Sequence, residues 1–444
     1  MQKKWDVIVI GGGTAGVIAA IQSSLAGART LLVEKTGLLG GTITTAGIDF
    51  PGLFHAWKRQ VIAGIGWELV QSCAAECGIP LPNPKMQDPN AHPLHHIQIN
   101  RALYSAICDE ALLKAGTTIQ LHAMVASVEQ RGGVWKTTLC TKSGLSVIES
   151  RVVIDASGDA NAATLAGCAT ITPPEVQPGT LVCHASGYDP ATIDYEALRV
   201  AFEAEVGQGR LKQSDIGWNL NRFDPKWVRK CGENSSHVIG INAGSSEGKT
   251  SMELEARAAL LRLYRFLRRQ PGLENLHLDY VAPECGVRET VTIVGKATVT
   301  VEDYVSGRLW DDAVCHSFYP IDLHMSSGKG LDCRPLAEGV VPTIPRGAML
   351  PVGTTNLIVA GRCISSDRAA NSALRAQASC MAMGQAAGAM AALTALSGTE
   401  VEQLALQDIR STLRQYGAIV PEAGIPLVEI AAGSPVMMGH GLDI

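Results

Sequence analysis

Asp6-Val-Ile-Val-Ile-Gly11-Gly-Gly13-Thr14-Ala15-Gly16 is the stretch whose reading decides the fold. An apolar run of strand length meets three spaced glycines, and an Ala-rich, helix-permissive segment follows from Ala15 to Ala26. A second short apolar run, Thr30 to Val33, then ends at Glu34. That is the order of a dinucleotide-binding strand–turn–helix–strand unit. Gly11 allows the tight turn, Gly13 lets backbone approach a pyrophosphate, and Gly16 permits close helix–strand packing. The helix start at Thr14 and Ala15 offers free N–H groups and a partial positive charge to phosphates. Glu34 follows Gly16 by 18 residues, where an acid that binds a ribose hydroxyl belongs. A glycine triplet alone is weak evidence; the strand before it, the helix after it and the acid at the right distance make it specific. NAD and FAD remain equally open on this stretch alone.

The bulk numbers bound the rest. A chain of 444 residues predicts two or three domains, and 46% hydrophobic content is ample for large cores. The net charge of −5 and pI near 6.1 give no electrostatic reason to expect nucleic acid or an anionic membrane as partner. Twelve cysteines are scattered without a C-x-x-C pair, which predicts reduced thiols rather than a disulfide framework. Cys73 and Cys77 lack two further ligands, so no metal is expected, and no cysteine run suits an iron–sulfur cluster. No stretch supplies the roughly 18 apolar residues that span a bilayer; Ala382 to Leu396 comes nearest and is interrupted by glycine. The apolar run after Trp5 leads into the glycine turn with no clear cleavage site, unlike a signal peptide, so a cytoplasmic location is expected.

Beyond Glu34, the glycines of Lys35-Thr-Gly37-Leu-Leu-Gly40-Gly41-Thr42 predict a loop that folds back on the pyrophosphate, with Gly40, Gly41 and Thr42 as donors. Residues 60–78 read as a helix, Pro80 to Pro93 as a surface excursion with His95 and His96 exposed beside it, and Gln98 to Ala115 as a helix. Strand-like runs follow at Thr118–Val128, Val134–Cys140 and Ser146–Ile154. The last enters Asp155-Ala-Ser157-Gly158-Asp159-Ala160 and is expected to rejoin the nucleotide sheet; both aspartates also suit turns and helix caps. From 165 to about 345, prolines, Asn/Gly/Ser clusters and tryptophans replace the βα rhythm, which predicts a different domain. Its helix from Ser251 to Arg269 carries five arginines, read as a solvated face. Gly244 and Gly248-Lys249-Thr250 miss P-loop spacing, and the lack of a second G-x-G-x-x-G argues against a nicotinamide domain. Thr355 to Ser365 is again strand then glycine turn, followed by a small-residue helical region from Asn371 to Leu396 and a closing helix from Thr399 to Tyr416. The chain thus leaves the nucleotide sheet and returns to it: an α/β fold with a discontinuous cofactor domain and an insertion.

These pieces together resemble the FAD-dependent oxidoreductase family related to the flavoprotein subunits of fumarate reductase and succinate dehydrogenase. The carriers are Gly11–Gly16 with Glu34-Lys35, Gly40-Gly41-Thr42, Asp155–Ala160, Gln177-Pro-Gly-Thr180, Val287-Arg288-Glu289-Thr290, Tyr319-Pro-Ile-Asp-Leu-His324, Ala360–Ser365, Arg375 and Met383–Gly388. The resemblance implies a Rossmann-like, glutathione-reductase-type FAD domain over 1–165 and 346–444, and an inserted α+β substrate domain over 166–345. It implies extended FAD contacted also by Val125, Ser157, Gly158, Asp159, Gly361, Arg362 and Arg375, with the N-terminal end of the helix carrying Met383-Gly384 facing the flavin N1/C2=O edge. One departure is readable: where the respiratory enzymes attach flavin to a histidine, this chain has Thr44, Thr45 and Ala46, so FAD is expected to be non-covalent.

Hydride transfer needs a proton acceptor and charge complementarity from the protein. His324 is the expected acid–base residue and Arg288 the expected clamp on a carboxylate or oxyanion, unless Arg288 pairs with Glu284 or Glu289 and His324 is structural. The leading expectation is an FAD-dependent dehydrogenase or oxidase acting on a small molecule, its electron acceptor unspecified and a homodimer compatible with the sequence. A flavoprotein electron-transfer subunit, a flavin-dependent tRNA-modifying enzyme and a non-redox flavin hydratase or isomerase are the alternatives.

Overall fold

The computed structural model describes residues 4–83 and 96–422, so His95 and most of the Pro80–Pro93 stretch lie outside the described residues. Strand β1 (Lys4–Ile10) ends in the glycine turn, helix α1 (Thr14–Leu25) follows, and strand β2 (Thr30–Val33) lies parallel beside β1. Val7 to Ile10 are buried on both faces, as expected of a parallel strand covered from either side. The seven-stranded sheet runs Thr118–Gln120, β2, β1, Gly144–Asp155, then Val134–Thr141 and Met124–Arg131. Gly144–Asp155 is the hinge of the sheet. Its first half pairs antiparallel with Val134–Thr141, and its last three residues pair in parallel with Leu357–Val359. The expected return of the chain to the nucleotide sheet is therefore present, more than 200 residues downstream.

Local differences from the sequence reading have physical causes. The run Thr118–Val128 breaks at His122, whose φ of 53° is incompatible with a strand, and its two halves join opposite ends of the sheet. The helix expected over 60–78 is Ile65–Glu76, because Trp57 and Lys58 (φ 52° and 65°) make a two-residue hairpin between His55–Ala56 and Arg59–Gln60. The arginine-bearing helix is Ser246–Leu267; it begins earlier than expected because the Ser245 hydroxyl accepts from Gly248 N–H and caps it. Its arginines are not a uniform solvated face: Arg262 pairs with Asp215, which is almost fully buried.

The long small-residue helix Gln377–Ser397 lies on α1 at backbone contact distance. A Cβ on Gly384 would stand 2.2 Å from the Ala15 carbonyl oxygen, and one on Gly388 2.3 Å from that of Ala19. By length and a mean hydropathy of 1.3 it passes the test for a membrane span that the sequence reading had not met, yet 83% of that window is buried within the protein. The largest apolar core takes in the sheet, α1, this helix and also Ile293, Tyr304, Ile344 and Met349. Two smaller clusters lie between 181 and 285, one around Phe202, Trp227 and Phe266, the other around Val182, Met252 and Cys285.

Candidate functional site

The first element of the site grows out of the glycine turn. Gly11 has φ 99°, and a Cβ there would stand 2.6 Å from the Ala156 carbonyl; at Gly16 it would stand 1.8 Å from that of Gly11. Both positions are closed by backbone, so neither tolerates a side chain. Gly13 differs: the nearest atom to its Cβ position is Gly41 Cα at 3.9 Å, an ordinary van der Waals contact between turn and loop. The loop does fold back, with Gly40 N–H donating to Gly12 O at 2.9 Å and a Gly41 Cβ only 2.6 Å from Gly13 Cα. Glu34 closes the far side: its carboxylate accepts from Gly12 N–H at 2.7 Å and Thr36 N–H at 2.8 Å. Thr14 and Ala15 are buried at the start of α1, which no side chain caps. Lys35 is half-exposed near Glu284, Thr42 is exposed on the loop, and Val125 lies at a bulge in the meander.

The second strand turn meets the first. Gly361 (φ 100°) brings its backbone to within 3.6 Å of Ala15 Cβ, measured from where its own Cβ would be. Arg362 then ties the far turn together, donating to the carbonyls of Gly158 and Val287 and to the Asp159 carboxylate. Burial would raise the Asp159 carboxyl, but the Arg362 charge and hydrogen bond, with one from Thr290, hold it below its usual range. Asp155 has the structural role: it accepts from Ser157 and from Ala163 N–H, fixing the turn and the helix after it. Met383 and Gly384 lie in the second turn of Gln377–Ser397, against α1, and the N-terminal end of the helix that carries them is at Arg375-Ala376-Gln377.

A separate buried polar cluster gathers His324, His237, Asp322, Arg288, Arg375 and Lys226. His324 ends the strand Ile321–His324, and its Nδ1 lies 2.9 Å from Nε2 of His237, while its Nε2 faces Asp322 Oδ2 at 3.5 Å. Trp218 holds both rings, stacked on His237 at 8° and edge-on to His324, and carries Lys226 Nζ 3.1 Å over its own ring. Arg288 is buried and bonds only neutral oxygens: Pro178 O, Thr180 Oγ1 and Asn234 Oδ1. Neither expected acid partner is near it in this sense, since Glu289 pairs with Arg368 and Glu284 with Lys35 and Lys249. Arg375 reaches Asp322 Oδ2 at 3.2 Å.

Burial, then the neighbouring cations, sets the protonation states. Desolvation and Arg375 push the Arg288 guanidinium down to about 9, and desolvation brings Lys226 to about 8. Desolvation and Arg288 push His324 to about 3 and His237 to about 2, so both are neutral. Burial would raise the Asp322 carboxyl, but His324, Arg375 and Arg288 outweigh it and keep it ionised. Gln177 Nε2, Trp218 Nε1, Arg375 Nε and His237 Nδ1 are buried here without a hydrogen-bond partner among the described residues. Three of these four are donors, which suits a ligand rich in acceptor oxygens.

The model of the FAD dependent oxidoreductase family matches residues 6–413. The chain belongs to that family. FAD is its cofactor, and it is an oxidoreductase. Among curated proteins this flavoprotein is similar to dihydrolipoyl dehydrogenase of Trypanosoma brucei brucei, 47% identical over 53 residues, covering 12% of this chain and 11% of that one. It is also similar to cinnamate reductase of Clostridium sporogenes, 36% identical over 73 residues, covering 16% of this chain and 11% of that one. The flavoprotein thus spans about a tenth of the length of these relatives. Among solved structures, OxyS anhydrotetracycline hydroxylase from Streptomyces rimosus aligns with TM-score 0.46 and 12% identity, over 94% of this chain and 66% of the other.

FAD fits the residues at the glycine turn. The donor set is that of a pyrophosphate site, since the N-terminus of α1 after Gly13 has no side-chain cap, and Glu34 is fixed beside the turn with oxygen lone pairs to spare. His237, Trp218, Lys226 and Asn234 were not singled out in the sequence. Nothing local marks them: His237 follows Ser235-Ser236 in an irregular segment, and only the fold carries it 87 positions along the chain to His324.

The buried neutral histidines also set a pH dependence. Their folded values lie below the ordinary 6.5, so the unfolded chain binds the extra protons as pH falls. Stability is therefore expected to be full above about pH 6.5 and to decline progressively below it. Denaturant midpoints at neutral and mildly acid pH check this, and a smaller drop in His237→Gln would assign part of it to His237.

Proposed function

We propose that this flavoprotein is a dehydrogenase or oxidase that moves hydride between a small organic molecule bearing a carboxylate or similar anionic oxygen and non-covalently held FAD. Arg288 is the observation that supports the reading: a buried guanidinium with no carboxylate bonded to it, beside two neutral imidazoles. Arg288 shares the field of the Asp322 carboxylate with Arg375, which pairs with it directly, so positive charge is in excess and an anionic ligand would offset it. On this reading residues 1–165 and 346–444 hold the cofactor in a glutathione-reductase-type arrangement and 166–345 form the inserted substrate domain, as the resemblance to fumarate reductase and succinate dehydrogenase flavoproteins implies. Gly11, Gly13, Gly16, Glu34, Gly40 and Gly41 would hold the adenosine and pyrophosphate, and Ser157, Gly158, Asp159, Gly361 and Arg362 the middle of the molecule. Bound FAD supplies the two-electron acceptor. Arg288 and Arg375 orient the anion, Gln177 and Trp218 offer the unused donors, and the imidazoles take the proton.

Anaerobic bleaching of the yellow protein against a panel of hydroxy acids, amino acids and unsaturated or saturated carboxylates tests this. Bleaching by neutral compounds alone would sink the anionic substrate. Acid precipitation is expected to release all flavin into the supernatant; colour kept in the pellet would overturn non-covalent binding. His324→Gln is expected to slow flavin reduction by about tenfold or more with FAD still bound, and unchanged reduction kinetics would remove it from the mechanism.

A further inference from the structure

The proton acceptor that faces substrate need not be the residue the sequence motif marks. Both nitrogens of His324 are occupied: Nε2 faces the Asp322 carboxylate at 3.5 Å, and Nδ1 lies 2.9 Å from His237 Nε2. Asp322 is ionised and can only accept, so the His324 proton sits on Nε2. His324 Nδ1 is then a lone pair, and the short contact requires that His237 Nε2 carry a proton and donate it. His237 Nδ1 is left bare. It is buried, has no partner among the described residues, and belongs to a residue that is 3% exposed. Trp218 stacked on the His237 ring fixes its orientation.

We propose that His237 Nδ1, not His324, receives the substrate proton, with His324 and Asp322 acting through it as a relay. This rests on the dehydrogenase or oxidase reading above. As the substrate C–H electrons leave as hydride to the flavin, the adjacent atom gives its proton to His237 Nδ1 and a double bond forms between the two substrate atoms. The His237 Nε2 proton moves to His324 Nδ1. His237 ends neutral with its proton on Nδ1, and His324 ends as an imidazolium beside the Asp322 carboxylate. The charge therefore comes to rest next to the Asp322 carboxylate, which offsets the opposition of Arg288 to a cation on either ring. His324 and Asp322 are positioning residues in this scheme.

The resting tautomers can be read without turnover. Nitrogen NMR of the holoprotein labelled in histidine, assigned with His237→Gln and His324→Gln, is expected to find both imidazoles protonated on Nε2. A proton on His237 Nδ1 would overturn the proposal. With any substrate that bleaches the wild type, His237→Gln is expected to reduce flavin at least about 100-fold more slowly at unchanged flavin content, and added imidazole to restore part of the rate to His237→Gly. His324→Gln, which keeps the acceptor, is expected to lose less than His237→Gln and to shift the acid limb of the pH profile. Wild-type reduction in His237→Gln would overturn the relay while leaving the dehydrogenase reading standing; failure of every panel compound to bleach the wild type would instead strike that reading and leave the tautomer test to decide the relay.

Discussion

Gly384→Val is expected to cost about 3 kcal/mol or more and to leave the purified protein largely without flavin. The first carbon of the new side chain would stand 2.2 Å from the Ala15 carbonyl oxygen and 2.9 Å from its carbon. These are backbone atoms at the start of α1, so no rotamer change relieves the contact. The two helices must separate, and the N-terminus of α1 moves with them. That is the uncapped end of α1 that follows the glycine turn, so stability and FAD retention fall together. Thermal unfolding and the flavin-to-protein absorbance ratio measure both. Gly398→Ala is the control: nothing lies within 4 Å of its Cβ position, and only its φ of 76° is penalised, about 1 kcal/mol. Equal loss at the two positions would show that helix separation is not the cause.

Arg288→Met is expected to lower kcat/KM by about 100-fold or more, some 3 kcal/mol, while FAD content stays near that of the wild type. Methionine keeps much of the volume and removes the charge. Two consequences separate this from simple misfolding. Substrate binding should weaken most for the most highly charged substrates. The histidines should also become more basic, because Arg288 is, after burial, the largest influence holding His237 and His324 down. The acid limb of the pH–rate profile is therefore expected to move to higher pH. A variant with unchanged kcat/KM, or an acid limb that stays in place, would show that Arg288 only supports the loops of Pro178 and Asn234.

The nucleotide half was legible because its chemistry is local. Gly11, Gly13, Gly16 and Glu34 lie within 24 positions of one another, and each duty follows from backbone geometry that a short motif specifies. The loop at Gly40-Gly41 was legible for the same reason, though not the 2.6 Å backbone approach that makes Gly41 necessary. The Met383-Gly384 run marked close approach without saying to what; the structure names the neighbour as α1. Arg288 was legible as a cation but not as an unpaired one, since Glu284 and Glu289 stand next to it in sequence and turn to other partners in space.

By itself the sequence determined a dinucleotide-binding α/β unit at the start of the chain, a later strand returning to it, and Arg288 and His324 as residues worth watching. Backbone propensity, apolar periodicity and glycine spacing act over a few residues, so one chain segment carries them whole. Only the tertiary structure decided that Gln377–Ser397 packs on α1, that Asp322, His324 and His237 form one array, and which imidazole nitrogen is left bare. Those depend on groups far apart in sequence, such as Gln177, His237 and His324, whose contact is a property of packing rather than of any local stretch.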